Sequence, residues 1–236
     1  MSPLGDSALV VKLGEQIDPA THRKVRLLSE HLTQHPLPGM VEYIPAFTSV
    51  TVFYDPVVIF GRERQEARSG ELRHPYDIVE GLLAERLEHL EEGSVAEPRV
   101  VEIPVCYGGE FGPDLDHVAE INGLSTDEVI RIHSGGQYLV YMLGFAPGFP
   151  YLGGMDARIA APRQSTPRLA IPPGTVGIAG EQTGIYPIGT PGGWQLIGRT
   201  PLALFLPDKQ PPTLLEAGNI IRFYPITRKA YDQWRE

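Results

Sequence analysis

Apolar and polar positions change rhythm several times along the chain. Ala8-Leu9-Val10-Val11-Lys12-Leu13 is a short, mostly apolar run closed by Gly14, and it predicts a strand. From Asp18 the period lengthens to that of a helix. Val25, Leu28 and Leu32 share one face, Asp18 is placed as the N-cap, Pro19 takes the first helical position and Pro36 is the stop. Residues 40–44 and 49–54 return to the strand period, with Val50, Val52 and Tyr54 alternating with Thr51 and Phe53, and Pro45-Ala46-Phe47 linking the two. Residues 61–73 read as a charged loop. Ile78, Leu82, Leu83, Leu87 and Leu90 then recur at helical spacing, and Val100-Val101-Glu102-Ile103 predicts a fourth strand. The order βαββαβ is the ferredoxin-like, split βαβ arrangement, an α+β unit with two helices on one face of a small sheet. Its expected extent is 1–93, with Glu91-Glu92-Gly93-Ser94 as the boundary and the strand near 99–105 assignable to either side.

The pattern of the second domain, 94–236, differs. Residues 114–133 predict two short helices separated by Asn122-Gly123-Leu124, with Gly123 ending the first and Ser125 and Glu128 forming a capping box for the second. This is helix-turn-helix spacing, but Asp114, Asp116, Glu120, Asp127 and Glu128 oppose Arg131, which would repel phosphate. Short strands are expected at 138–143, 175–179, 194–198, 202–206 and 220–223, with no helix until the last residues, and such punctuation predicts a closed or nearly closed β-barrel.

Residues 144–201 hold 12 of the 26 glycines and 9 of the 23 prolines, interleaved with aliphatic and aromatic side chains that still allow a folded core. Charge sharpens this picture. The formal net charge is -9, yet Arg158, Arg163, Arg168 and Arg199 of this segment face Asp156 and Glu181 alone, which suggests a site for an anion. The acidic balance argues against nucleic acid, no apolar run reaches membrane-spanning length, and the N-terminus lacks the regions of a signal peptide. Together with the single Cys106, which excludes an internal disulfide, these features predict a cytoplasmic chain.

Most chemical motifs fail on inspection. Gly184-Ile185-Tyr186-Pro187-Ile188-Gly189 has phosphate-loop glycine spacing, but Thr190-Pro191 stands where a lysine is needed. There is no Gly-x-Ser-x-Gly elbow, and the seven histidines form neither His-x-His nor His-Glu-x-x-His, so no metal site is expected. Cys106 with His133 is a conceivable thiolate pair, with a small buried strand cysteine as the favoured alternative. The candidate catalytic residues are therefore Arg168, Arg199 and His133. Tyr141, Phe145, Phe149, Tyr151, Arg163, Gln182, Thr183, Tyr186 and Trp194 are candidates for binding a substrate or a partner, since rings held on Gly/Pro turns contact ligands more often than core rings do.

At these residues the sequence resembles the allophanate hydrolase subunit 1 domain family. The resemblance covers nearly the whole chain and is most specific at Gly144-Phe145-Ala146-Pro147-Gly148-Phe149-Pro150-Tyr151, at Gln182-Thr183-Gly184-Ile185-Tyr186-Pro187 and at Pro191-Gly192-Gly193-Trp194-Gln195-Leu196-Ile197-Gly198-Arg199. It implies a small α/β domain followed by a cyclophilin-like β-barrel. It further implies a non-autonomous subunit of an ATP-dependent 5-oxoprolinase, working with a subunit 2-type cyclophilin-like partner chain and a lactam-utilisation third subunit. ATP, with Mg, would be held by or shared with a partner. The alternatives within the resemblance are an inhibitor that binds a sporulation histidine kinase, and a subunit associated with urea carboxylase or allophanate hydrolase. For the enzyme, activation of a resonance-stabilised lactam by phosphorylation needs cations around the transferring group, a role open to Arg163, Arg168 and Arg199.

Overall fold

The computed structural model describes residues 1–66, 72–88 and 97–235 and divides the chain into two compact units, Met1–Glu97 and Pro98–Glu236. In the first, an antiparallel sheet has the order β1 (Ser2–Pro3), β2 (Ala8–Lys12), β4 (Ser49–Tyr54), β3 (Met40–Pro45). Strands β2 and β3 both run antiparallel to β4 and are joined by α1 (Pro19–Gln34). The Asp18 carboxylate accepts from the Thr21 N–H at 2.8 Å, so the helix begins where its cap and its proline place it. Val25, Leu28 and Leu32 meet Leu9, Val11, Val50 and Val52 in one core. Two further helices follow, α2 (Pro56–Glu66) and α3 (Pro75–Glu88).

Two expectations need correction here. The fourth strand of this sheet is Ser2–Pro3 and not residues 100–103, which join the second unit, so βαββαβ fails at its last strand. Much of the supposed charged loop is α2, whose start is signalled by Asp55, accepting from Val57 and Val58 N–H groups at 2.8 and 3.2 Å. Asp55-Pro56 repeats the Asp18-Pro19 signal, but Arg62, Glu63 and Arg64 mask it in a composition-based reading. Part of that loop, the helical position Leu90 and the boundary at 91–94 lie outside the described residues.

In the second unit the sheet order is β10 (Gln182–Ile185), β9 (Thr175–Ala179), β12 (Gln195–Arg199), β5 (Val100–Tyr107), β13 (Ile220–Pro225), β6 (Tyr138–Leu143), β7 (Pro150–Gly153). The edge strands β7 and β10 lie against each other, so the sheet is a nearly closed barrel. Strand β9 is buried along its whole length because Val176 and Ile178 face the barrel core while Gly177 and Ala179, on the other face, are covered by Trp194 and Leu196. Ile103, Val105, Ile178, Ile197, Ile221 and Phe223 fill the interior. A helical hairpin, α4 (Leu115–Ile121) and α5 (Thr126–Gly135), packs on β12 and β13, with the capping box at Ser125 and Glu128 in place. A two-stranded ladder of β8 (Arg168–Ile171) and β11 (Thr190–Gly192) stands apart from the barrel sheet, and α6 (Arg228–Asp232) ends the unit.

The expected strand at 202–206 does not form, and Phe205 makes a single isolated bridge to Thr213. Its apolar residues serve another purpose, since Leu204 is buried in the barrel core from an irregular loop. Strands β7, β8, β10 and β11 and a 3-10 turn at Ala157–Ile159 are not foreseen by the pattern, because each has only three or four residues and lies within the Gly/Pro-rich segment, too short to show a period. Among the described residues no helix is long and apolar enough to cross a membrane.

Candidate functional site

The aromatic residues of the Gly/Pro segment converge on Phe149. The rings of Phe145, Tyr151, Tyr186 and Trp194 each meet it edge-on, with centroids 5.6, 5.3, 5.5 and 5.6 Å away. Phe149, Tyr186 and Trp194 are buried, whereas Phe145 is 68% exposed. Phe145 also has φ 67, the left-handed region that side chains avoid, and it is the centre of a tight turn closed by the Ala146 N–H on the Gly144 carbonyl at 2.8 Å. Phe145 thus carries local backbone strain on an exposed ring that lines a pocket.

The pocket has a volume of about 300 Å³ and is lined by these five rings with Arg163, Pro167 and the turn Pro191-Gly192-Gly193. Among its lining residues Arg163 alone is charged. A Cβ on Gly192 would sit 2.4 Å from the Tyr186 hydroxyl, so this position must be glycine for the phenol to reach its place. Burial pushes the Tyr186 phenol up to about 12, against the opposing pull of the Trp194 backbone and of Arg163 and Arg168, so it is a neutral hydroxyl. The arrangement is an apolar, aromatic cleft with one cation at its wall, suited to a small ring-bearing anion.

Behind the pocket lies a polar cluster that the sequence does not reveal. Asp114 precedes α4 but makes no side-chain cap to it. Its Oδ1 accepts from Arg168 Nη2 at 2.7 Å and Gln164 Nε2 at 3.1 Å, and its Oδ2 from the Leu196 N–H at 2.7 Å. Gln164 also donates to Gln195 Oε1 at 3.1 Å, and Gln195 donates to the Pro162 carbonyl at 2.8 Å. Asp114 reads from sequence as a surface acid; the sign that could have corrected this is the surplus of arginine in 144–201, which needs a counter-charge from elsewhere.

This cluster changes the reading of the arginines. Arg168 is held by Asp114 and lies within 3.4 Å of the Trp194 carbonyl, so it is occupied in structure. Arg199 lies at the far end of β12 from Trp194, about 16 Å along a five-residue strand, with its guanidinium 4.7 Å over the Phe111 ring. Arg158 is paired with Asp156, whose carboxyl it holds down at about 2. Of Arg168, Gln182, Tyr186, Trp194 and Arg199, Tyr186 and Trp194 line the pocket and the other three do not.

His133 is also displaced from its expected role. It is fully buried in the barrel, with Nδ1 2.8 Å from the Tyr107 hydroxyl and Nε2 2.9 Å from Thr183 Oγ1. Thr183 spends its own proton on the Gly177 carbonyl at 3.0 Å, so His133 Nε2 must carry a hydrogen and Nδ1 must accept from Tyr107. Burial lowers the imidazole to about 3, leaving it neutral. Neither His133 nor Thr183 lines the pocket. The imidazole is not paired with Cys106, whose thiol is buried and pushed up by that burial. Tyr141 is buried with its ring against Gly153, and Gln182 is half-buried in the β9–β10 hairpin; neither lines the pocket.

Residues 1–215 match the carboxyltransferase domain, subdomains C and D, and the chain belongs to that family, the one to which the motifs of 144–201 point. It is similar to the B subunit of 5-oxoprolinase from Bacillus subtilis (strain 168), at 55% identity over 99% of this chain and 95% of the relative. The protein of the same name from Escherichia coli O157:H7 is 41% identical over 94% of each. Among solved structures TTHA0988 is 36% identical with a TM-score of 0.75, covering 93% of this chain, while this chain spans 39% of that longer one.

Proposed function

We propose that the chain is the B-type component of an ATP-dependent 5-oxoprolinase, which converts 5-oxo-L-proline, ATP and water to L-glutamate, ADP and phosphate. The observation that carries this reading is identity of 55% over nearly the full length of a relative bearing that name. The cleft fits the substrate chemically. 5-Oxoproline is a small lactam ring with one carboxylate, and the cleft offers stacked rings with Arg163 as a carboxylate partner.

Nucleotide is assigned to a partner. The stretch 184–189 runs through β10 and the turn before β11, so no helix N-terminus follows its glycines. Mg, which nucleotide phosphates and water largely hold, is assigned to the partner side with ATP. The cyclophilin-like barrel binds the lactam, and a subunit 2-type chain with a lactam-utilisation third subunit completes the site in the cytoplasm. ATP hydrolysis dependent on 5-oxoproline tests this, measured for the chain alone, with its subunit 2-type partner, and with both partners. Turnover in the complete mixture is expected; none in any mixture overturns the reading.

A further inference from the structure

Asp114 does not line the pocket, yet its hydrogen bonds reach both walls. One wall is the segment Pro162–Arg168, which carries Arg163 and Pro167. The other is Gly192–Trp194 leading into β12. The carboxylate takes Arg168 and Gln164 from the first wall and the Leu196 N–H from the second. Arg168 approaches the Trp194 carbonyl, Gln164 Nε2 bonds Gln195, and the Gln164 N–H donates to the Gly193 carbonyl at 2.7 Å. Residues 193 to 196 are thus each tied, directly or through one side chain, to Asp114 or its partners.

We propose that Asp114 is a positioning residue that sets the distance between Arg163 and the Trp194 ring, so that a ligand whose carboxylate pairs with the arginine can lay its own ring against Trp194 at the correct separation. An Asp at the start of a helix would ordinarily accept from N–H groups of its own first turn. Here no such bond forms, and both oxygens are given to the strand and loop instead. A residue needed for helix α4 alone would have been spent on α4. The catalytic part of this proposal rests on the 5-oxoprolinase reading; the geometric part does not.

The test uses Asp114→Asn, which keeps the shape but replaces one acceptor by a donor that faces either Arg168 or the Leu196 N–H. In a Trp234→Phe background, Trp194 is the sole tryptophan, and acrylamide quenching of the isolated full-length chain reads its exposure. The wild-type ring is 7% exposed and is expected to quench weakly. Asp114→Asn is expected to raise the quenching constant at least twofold while far-ultraviolet circular dichroism is retained. In the complete complex KM for 5-oxoproline is expected to rise about tenfold with a smaller change in kcat, as for a misplaced binding group. Unchanged Trp194 quenching in folded Asp114→Asn overturns the proposal. Where that variant does not fold, Gln164→Met cuts one strut between the walls and is held to the same criterion. Absence of wild-type turnover defeats the 5-oxoprolinase reading alone, because quenching is still measured on the chain by itself.

Discussion

The barrel unit contains two buried polar clusters built on opposite principles. Around Asp114 a carboxylate is withdrawn from water, and three donors, one of them the Arg168 guanidinium, replace its hydration. Around His133 the ring has given up its charge, and two hydroxyls satisfy it. The charged cluster ties the segment before α4 and the loop at Gln164 to the starts of β8 and β12. The neutral one joins the end of α5 to β5 and β10, which the sheet already fixes. The ionic cluster thus spans segments far apart in sequence through a charge, and the neutral one spans them through hydroxyls alone.

The largest effect is expected from disturbing how Asp114 reaches β12. A Cβ on Gly112 would lie 2.1 Å from the Ile197 carbonyl oxygen and 2.7 Å from the Gly108 nitrogen, and backbone cannot step aside. Gly112→Ala is expected to destabilise the chain by about 4 kcal/mol, seen as a fall in the urea midpoint. An unchanged midpoint would mean that the 108–114 segment can be relaid without loss. Next comes Arg168→Met, which leaves the Asp114 carboxylate with neutral donors in a site where it is 8% exposed. A cost of about 2–3 kcal/mol is expected for an uncompensated, partly screened charge. Adding Asp114→Asn to that variant should return part of the loss in thermal unfolding. If Arg168→Met is neutral, charge is not what separates the two clusters.

How legible these features are depends on the distance in sequence over which each is decided. Caps are local, and Asp18-Pro19, Ser125 and Glu128 are read correctly from a few residues. The aromatic cleft is also nearly local, because Phe145, Phe149 and Tyr151 lie within seven residues on the β6–β7 connection and the start of β7, and Tyr186 and Trp194 lie in recognisable motifs. What escapes is decided at long range. Asp114 is 54 positions from Arg168 and 82 from Leu196, so its partners cannot be inferred from its neighbours, among which Asp116 and Glu120 suggest a solvated acidic helix. His133 looks chemical in sequence because histidine titrates near neutrality, but its properties are set by Tyr107 and Thr183, 26 and 50 positions away. The strand at 100–107 fits a ferredoxin-like sheet on pattern alone, yet it belongs to the barrel, because pattern gives a strand's existence and not its neighbours.

A smaller effect is expected from the neutral cluster, and it depends on pH. Above the ordinary histidine value of 6.5 the ring is neutral in both folded and unfolded chains, so the group does not favour either. Between 6.5 and about 3 the unfolded chain binds a proton that the folded chain refuses. Stability therefore falls as pH drops through this window, by about 1.4 kcal/mol per pH unit at its steepest. His133→Gln keeps a donor and an acceptor without the titration. It should cost about 1 kcal/mol near pH 7.5 and lose less than the wild type on going to about pH 5, measured by urea unfolding at both. A wild-type slope that survives in His133→Gln would assign the acid sensitivity to carboxylates.

The smallest effect on stability is expected at Arg163, and there its smallness is informative. Arg163 and Arg168 are five residues apart on the same segment, yet Arg168 is committed to Asp114 while Arg163 is exposed on the pocket wall. Arg163→Ala should shift stability by no more than about 0.5 kcal/mol, as for a surface side chain without a buried partner. In the reconstituted complex the same change should raise KM for 5-oxoproline about tenfold or more, the worth of a charge-assisted hydrogen bond to a carboxylate. Thermal unfolding and steady-state kinetics on one preparation separate the two quantities. A fall in melting temperature comparable to that of Arg168→Met would place both arginines in the scaffold and leave the pocket without its cation. Intact stability with an unchanged KM would mean that the substrate carboxylate is held by another chain.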